Sequence, residues 1–419
     1  MNTWKKTFFT IYAGQAFSII GSSAVQFAMI WYLTELTASA VTLSVAAIFG
    51  FLPGLLFSSF AGVYIDRNKK KTVMVIADGG IAVSSAILAV AFCMPSPPAV
   101  WLIYAMLFVR GVGSVFHSIS MQAAIPLFVP DTELVKAGGW AQFVNGSGNL
   151  IGPALGALLM TYMDMAYVML VDVVGAAFAI ICLLLIKIHD PKKTYRAEES
   201  PDFWREFKHG LRVLKGNKAL YRATPFYVLT GFLYMPVNAM FLLLVAIHYG
   251  GTELQAGYVE VAAAVGAIAG SVLIGLCGEI QRKLQVFSFS VTTIGLCVII
   301  IGALPASLFW LCVVFSLCIG IGIPFFNVPF YAFMQKSIPP DELGRVTSLL
   351  YMLCCFVNPL GLIIAGPAGD IIGANRLFVG IGILLFLNGL LSIIMVRKPE
   401  TEYLTSLQRE KKDAGGLTA

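Results

Sequence analysis

Four carboxylates lie within or at the ends of long apolar stretches: Glu35, Asp78, Asp172 and Glu260. A charge in hydrocarbon costs at least about 2.5–3.5 kcal/mol, so a residue of this kind indicates a function or a fixed partner. Because burial disfavours the charged form, such a carboxylate can exchange a proton near neutral pH. Glu260, about two turns into its stretch, is the preferred candidate. Asp172 is the second, although a structural hydrogen-bonding role suits it better.

Arg110 and His117 are seven residues apart and therefore share one face of a helix. An arginine there either tunes a neighbouring carboxylate or forms a fixed ion pair with it. An imidazole titrates near neutral pH, but it also serves as a neutral hydrogen-bonding group. The candidates for binding and releasing a proton are therefore Glu260, Asp172 and His117, with Arg110 as a neighbour that can tune one of them.

The elements that position these residues must be membrane-spanning helices. Hydrophobic residues make up 58% of the 419 positions and charged residues only 12%, whereas soluble domains average about 25% charged. The apolar runs reach 18 residues or more, which is helical length, and lack the alternation of a β-barrel. The sequence predicts an all-α integral membrane protein with twelve spans, near 8–33, 41–64, 72–94, 100–125, 137–160, 166–187, 220–245, 254–277, 285–304, 308–335, 346–371 and 376–396.

The distribution of lysine and arginine predicts the orientation. Of the 28 such residues, 26 fall on one side of the predicted spans, which places both termini and the central loop in the cytoplasm of a multi-pass cell-membrane protein. The predicted organisation is an N-terminal six-helix half (1–188), a cytoplasmic linker (189–219), a C-terminal six-helix half (220–398) and a cytoplasmic tail (399–419). Within the linker, apolar residues at helical spacing from Phe203 to Leu214 predict an amphipathic helix on the inner leaflet, or else a solvated one.

Other classes of protein are disfavoured. The eight cysteines lie in or at the ends of apolar stretches, so no disulfide framework is implied. The chain has no phosphate-binding G-x-x-x-x-G-K-[ST] loop, metal-ligand cluster or nucleophile elbow, so we expect no enzyme, cofactor or metal. The net charge of +6 follows from topology and needs no nucleic-acid partner. A monomer is the default expectation.

Two glycine motifs stand out. Gly62-x-x-x-Asp66-Arg67-x-x-Lys70-Lys71 joins the second and third spans, and Asp78 lies seven residues after Lys71 on the same helix face, where it could support this loop. Gly148-x-x-x-Gly152-Pro153-x-x-Gly156 lies in the fifth span. Glycines four apart allow close helix contact, and the proline loosens the backbone hydrogen bonding.

An internal repeat supports two related halves. Pro130-Asp131-Thr132-Glu133-Leu134 is similar to Pro339-Pro340-Asp341-Glu342-Leu343, and Gly111-x-Gly113 matches Gly320-x-Gly322, at one offset of 209 residues. Six plus six helices in two halves is a transporter layout with the binding site near the bilayer midplane.

The first motif resembles the G-x-x-x-D-R-x-x-R-K signature of major facilitator transporters, with Lys70 in place of arginine. The second is similar to their antiporter motif, with Ala157 at its last position. The segment 4–180, including Trp4-Lys5, Trp31 to Glu35 and Phe116-His117, resembles the macrolide-efflux proteins of the drug:proton antiporter branch. The resemblance implies export of a hydrophobic, often cationic drug by proton antiport with alternating access, gating by Gly62, Asp66, Arg67, Lys70 and Lys71, and proton coupling at Arg110.

In that superfamily helices 1, 4, 7 and 10 line the substrate cavity. The resemblance therefore implies an aromatic, amide-rich cavity for a small hydrophobic or cationic substrate. The polar residues assigned to it are Gln15, Ser22, Gln26, Asn145, Asn149, Tyr227, Tyr234, Asn238, Asn327, Tyr331 and Asn358. Ordinary interhelical hydrogen bonding would produce similar polar stripes.

Several functions fit the same fold. A siderophore or lipid exporter, a solute importer or symporter, and a non-transporting membrane sensor all remain open from the residues alone.

Overall fold

The computed structural model describes residues 3–186, 203–278 and 280–415. In these ranges the chain forms thirteen α-helices, three short 3₁₀ segments and one π segment. The first part of the predicted linker, 189–202, lies outside the described residues. The helices are α1 (Thr3–Thr37), α2 (Ala40–Arg67), α3 (Lys70–Phe92), α4 (Val100–Ala124), α5 (Leu134–Tyr162), α6 (Met165–Leu185), α7 (Phe203–Gly216), α8 (Lys218–Leu243), α9 (Glu253–Leu276), α10 (Lys283–Ala303), α11 (Phe309–Ser337), α12 (Pro340–Ile372) and α13 (Ala374–Gly415).

The helix lengths fit an all-α membrane protein. Twelve of the thirteen described helices have at least 21 residues, and eleven of these are also apolar enough to cross a bilayer. The exception is α5, whose polar residues include Gln142, Asn145 and Ser147. The last helix extends far beyond its predicted end at 396, because the tail is rich in good helix formers such as Glu, Lys, Gln and Leu.

The chain divides into two compact units. The first comprises Met1–Arg196 and Leu242–Val261, and the second comprises Ala197–Phe241 and Ala262–Ala419. These units do not test the predicted boundaries of the two six-helix halves, the linker and the tail, which stay a prediction.

In the first unit α1 packs against α5 and α6, α3 against α4 and α6, and α2 against α4. The α1–α5 contact depends on the glycines of the fifth span. A Cβ on Gly148 would strike Ile19, one on Gly152 would strike Ser23, and one on Gly156 would lie 2.6 Å from the carbonyl oxygen of Ala24. These three glycines therefore bring α5 close to the α1 backbone.

In the second unit α10 packs against α11 and α13, and α7 packs on α12. Glycines on both partners allow the α10–α13 contact: a Cβ on Gly295 would strike the backbone of Phe386, and one on Gly382 would lie 2.6 Å from the amide nitrogen of Ile299. Glu400 of α13 is fully buried and accepts hydrogen bonds from the backbone N–H groups of Leu284 (2.7 Å) and Gln285 (3.1 Å). This carboxylate caps the N-terminus of α10, where the helix dipole favours negative charge.

The predicted amphipathic helix is α7, although the side chains of 203–207 lie outside the described residues. Its far end is docked on α12 by a polar cluster. His209 Nε2 lies 3.0 and 2.9 Å from the two carboxylate oxygens of Glu342, and Arg345 Nη1 donates to Glu342 Oε2 at 3.0 Å. Gly210 faces the backbone of Arg345, which allows the close approach.

Candidate functional site

One polar layer of the first unit joins α1, α3 and α4, and we call it the histidine layer. Asp78 is buried, and its Oδ2 accepts a hydrogen bond from Gln15 Nε2 at 3.3 Å. Its Oδ1 lies 3.0 Å from His117 Nδ1, although the ring nitrogen is out of line for a hydrogen bond. Asp78, expected beneath the basic loop, therefore contacts both Gln15, expected in the substrate cavity, and His117.

A second polar layer, which we call the arginine layer, joins the same helices to α6. Asp172 is fully buried and forms an ion pair with Arg110. Ser22 Oγ donates to Asp172 Oδ1 at 2.6 Å, and Ser85 Oγ donates to Asp172 Oδ2 at 2.6 Å. Arg110 Nη2 also donates to the backbone carbonyl of Ser22 at 3.2 Å. The arginine layer therefore consists of Ser22, Ser85, Arg110 and Asp172.

The predicted gating loop lies between α2 and α3. Lys71 Nζ donates to the backbone carbonyls of Leu184 (3.2 Å) and Ile186 (2.7 Å), and so satisfies the C-terminal end of α6. Asp66 and Arg67 are exposed and Lys70 is partly buried. A Cβ at Gly62 would meet nothing within 4 Å, so this conformation does not use the glycine for close approach.

Glu260, the carboxylate preferred from the sequence, is on α9. Its side chain is partly buried and has no hydrogen-bond or ion-pair partner among the residues that the structure describes. In the same described ranges, no three His, Cys, Asp or Glu side chains come together as ligands for a metal ion.

The second unit brings together three of the predicted cavity residues. Tyr227 donates a hydrogen bond to Asn327 Oδ1 at 3.1 Å, and its hydroxyl lies 3.3 Å from that of Tyr331. The Tyr227 ring is stacked against Phe326 and Phe330, with ring centroids 4.8 and 4.2 Å apart. Because Tyr331 is exposed whereas Tyr227 is buried, the cluster presents an aromatic hydroxyl at the surface of this unit.

The other predicted cavity residues differ in their exposure. Gln26, Asn145 and Asn238 are exposed, and Tyr234 is partly buried. The Oδ1 atom of Asn358 is buried and has no hydrogen-bond partner within the described ranges. The side chain of Asn149 lies outside the described residues.

Comparisons with known proteins bear on this arrangement. The family model described as Major Facilitator Superfamily matches residues 11–362. The chain belongs to this superfamily. It is 37% identical over 386 residues to macrolide efflux protein A of Streptococcus pyogenes, covering 92% of this chain and 94% of that protein. It is 23% identical to the multidrug efflux pump Tap of Mycolicibacterium fortuitum, covering 89% and 91% of the two chains.

Solved structures agree on the fold. A POT family transporter in complex with a thioalcohol-conjugated peptide superposes with a TM-score of 0.73 at 14% identity, covering 94% of this chain and 96% of that chain. The resemblance to the superfamily inferred from the motifs is confirmed, as is the all-α membrane fold.

Three structural residues escaped the sequence analysis: Ser85, Asn388 and Glu400. Ser85 lies seven residues after Asp78, so the sequence predicts that both share one helix face. It does not predict the partners of Ser85. Asn388 donates to Thr230 Oγ1 (3.0 Å) and to the carbonyl of Phe226 (3.2 Å). For Asn388 and Glu400 the partners are more than 100 positions away, and no local pattern indicates them.

Proposed function

We propose that this protein exports hydrophobic or amphipathic drugs, macrolide-like antibiotics in particular, in exchange for protons. The observation that carries the proposal is the 37% identity to macrolide efflux protein A across almost the whole of both chains. The helix-5 glycines and the ionisable layers of the first unit are consistent with an antiporter. Transport moves the substrate without covalent change, so the residues act by binding, positioning and proton exchange.

The proposal includes an orientation and a setting. Both termini and the linker lie in the cytoplasm, because lysine and arginine are concentrated on that side of the spans. The membrane is the cytoplasmic one, the working unit is a monomer, and the coupling ion is the proton. The gating role of Asp66 and Arg67 belongs to the same proposal.

The substrate is expected to contact the polar aromatic face of the second unit. Tyr331 offers an exposed ring and hydroxyl, and Asn327 offers an amide close to it. An aromatic face suits a bulky apolar guest, and it also attracts a cationic amine by cation–π interaction. A macrolide carrying an amino sugar has both features.

The deciding experiment measures accumulation of labelled erythromycin in susceptible bacteria that produce this protein, with vector-only cells as the control. We expect lower accumulation in producing cells, and a protonophore should abolish the difference. Higher accumulation in producing cells would instead indicate import. No difference would exclude macrolides, and siderophores, lipids and other drugs would then be tested in the same cells.

A further inference from the structure

The two polar layers of the first unit repeat with one spacing on three helices. Between the layers the chain advances by seven residues on α1 and α3 and goes back by seven on α4. Seven residues are two helical turns, so about 10 Å separates the layers. The pairs are Gln15 with Ser22, Asp78 with Ser85, and His117 with Arg110.

Apolar residues separate the layers from each other and close one side. Between them Ile81 packs against Gly113, where a Cβ would lie 2.8 Å from Ile81 Cγ1. Beyond the histidine layer, Met74, Met121 and Tyr12 belong to one buried core. The histidine layer is therefore a separate polar site and not an extension of the arginine layer.

The two charges of the arginine layer are paired with each other. Asp172 is fully buried, and a guanidinium and two hydroxyl groups donate to its oxygens. Protonating Asp172 would leave the Arg110 charge unpaired inside the membrane, which costs several kcal/mol. This layer is suited to hold the helices together in one charge state.

Among the described residues, no lysine or arginine contacts the histidine layer. Asp78 meets an amide and an imidazole, and the His117 side chain remains 15% exposed. With neutral imidazole the pair carries one negative charge, and one added proton makes it neutral overall. Gain or loss of this proton breaks no permanent ion pair with a lysine or arginine among the described residues.

Among the described residues, Asp78 and His117 pair with no titratable or charged group other than each other. Titratable and charged groups elsewhere on these helices include Tyr12 of α1, Arg110 of α4 and Asp172 of α6, with Lys71 at the start of α3 engaged by α6 carbonyls. The contact between α2 and α4 is apolar here, through Ala61 and Ile65. Asp66 and Arg67 come at the end of α2.

We propose that Asp78 and His117 together hold the proton that is exchanged for drug, and that Gln15 positions Asp78. This inference rests on the proposed proton-coupled export. It assigns the proton to the histidine layer rather than to Glu260, which has no partner among the described residues to stabilise either charge state.

The test uses the full-length protein in proteoliposomes with labelled erythromycin. Two activities are compared: drug–drug exchange without a gradient, and accumulation driven by a pH difference of about one unit, which supports an about tenfold drug gradient per exchanged proton. We expect Asp78→Asn and His117→Gln to retain exchange within about twofold but to lose the tenfold gradient. Gln15→Ala should displace the pH profile of gradient-driven accumulation, which a merely structural role would not do.

Ser118→Ala is the matched control, because Ser118 is exposed and adjacent to His117. It should behave as the wild type. As a second readout, drug added to detergent-solubilised wild type in weak buffer should release protons, and His117→Gln should release at most about one tenth of that amount. If Asp78→Asn fails to fold, this measurement of proton release still tests the role of His117.

Wild-type gradients in both Asp78→Asn and His117→Gln would overturn the inference and leave proton-coupled export standing. Loss of the gradient in Glu260→Gln alone would assign the proton to α9 and also overturn it. If the wild type itself exchanges drug but shows no gradient in response to pH, the proposed proton coupling fails and this inference fails with it.

Discussion

At the scale of single residues, the buried Arg110–Asp172 ion pair of the first unit requires both of its members. Neutralising either member alone leaves the other charge buried without its partner, which costs about 3–5 kcal/mol. We therefore expect Asp172→Asn and Arg110→Gln each to lower the unfolding temperature of the purified protein in detergent. The double variant should be more stable than either single one, because it buries no unpaired charge.

Tryptophan fluorescence during heating measures this effect, with the exposed Glu402→Gln as the control that should not change it. Losses that simply add up in the double variant would contradict a coupled pair and would indicate two independent hydrogen-bonding residues.

The sequence placed these residues on the right helix faces but could not pair them. Seven-residue spacing puts Arg110 and His117 on one side of α4 whatever the helix packs against. Which carboxylate each meets depends on the depth and rotation of α3 and α6, and these follow from packing along the whole helix. Asp78 therefore looked like support for the nearby basic loop, whereas its described contacts are with Gln15 and His117.

At the scale of elements, the close contact of α5 with α1 predicts opposite effects on stability for two glycine-to-alanine substitutions in α5. Gly156→Ala places a Cβ 2.6 Å from the Ala24 carbonyl oxygen, so the helices must separate, at a cost of about 1–3 kcal/mol. Gly146→Ala on the same helix meets nothing within 4 Å and gains helix propensity of up to about 1 kcal/mol. The unfolding temperature and drug efflux should both fall for Gly156→Ala. For Gly146→Ala they should stay the same or rise.

If both alanine variants lower the unfolding temperature equally, the α5 glycines serve backbone flexibility rather than close packing. A loss of efflux without a loss of stability in Gly156→Ala would indicate that the contact must slide during transport.

Helix identity was more predictable than helix extent. Apolar runs predict spans well because lipid requires every backbone group to be satisfied within a helix. They fail at polar ends, where α13 continues to Gly415 through charged residues that form helix readily. The position of α7 was likewise readable from its spacing. Its docking on α12 through His209 and Glu342 was not, because the two residues are 133 positions apart.

At the scale of the whole molecule, two native cysteines can test the orientation across the membrane. Cys93 follows α3 and Cys277 follows α9, and both are exposed, whereas the other six cysteines are buried or partly buried. The positive-inside distribution puts Cys93 outside, in a loop without lysine or arginine, and Cys277 inside, close to Arg282 and Lys283. A membrane-impermeant maleimide should therefore label Cys93 in spheroplasts and Cys277 in inside-out vesicles.

Cys93→Ser should abolish labelling of spheroplasts, and Cys277→Ser should abolish labelling of inside-out vesicles, each without effect on the other preparation. Exposed thiols react through the thiolate, so labelling at mildly alkaline pH separates them from thiols enclosed between helices. Labelling of Cys277 in spheroplasts would show that the topology is the inverse of the predicted one. The histidine layer would then lie nearer the outer surface than the arginine layer, and the direction in which its proton travels during transport would reverse with it.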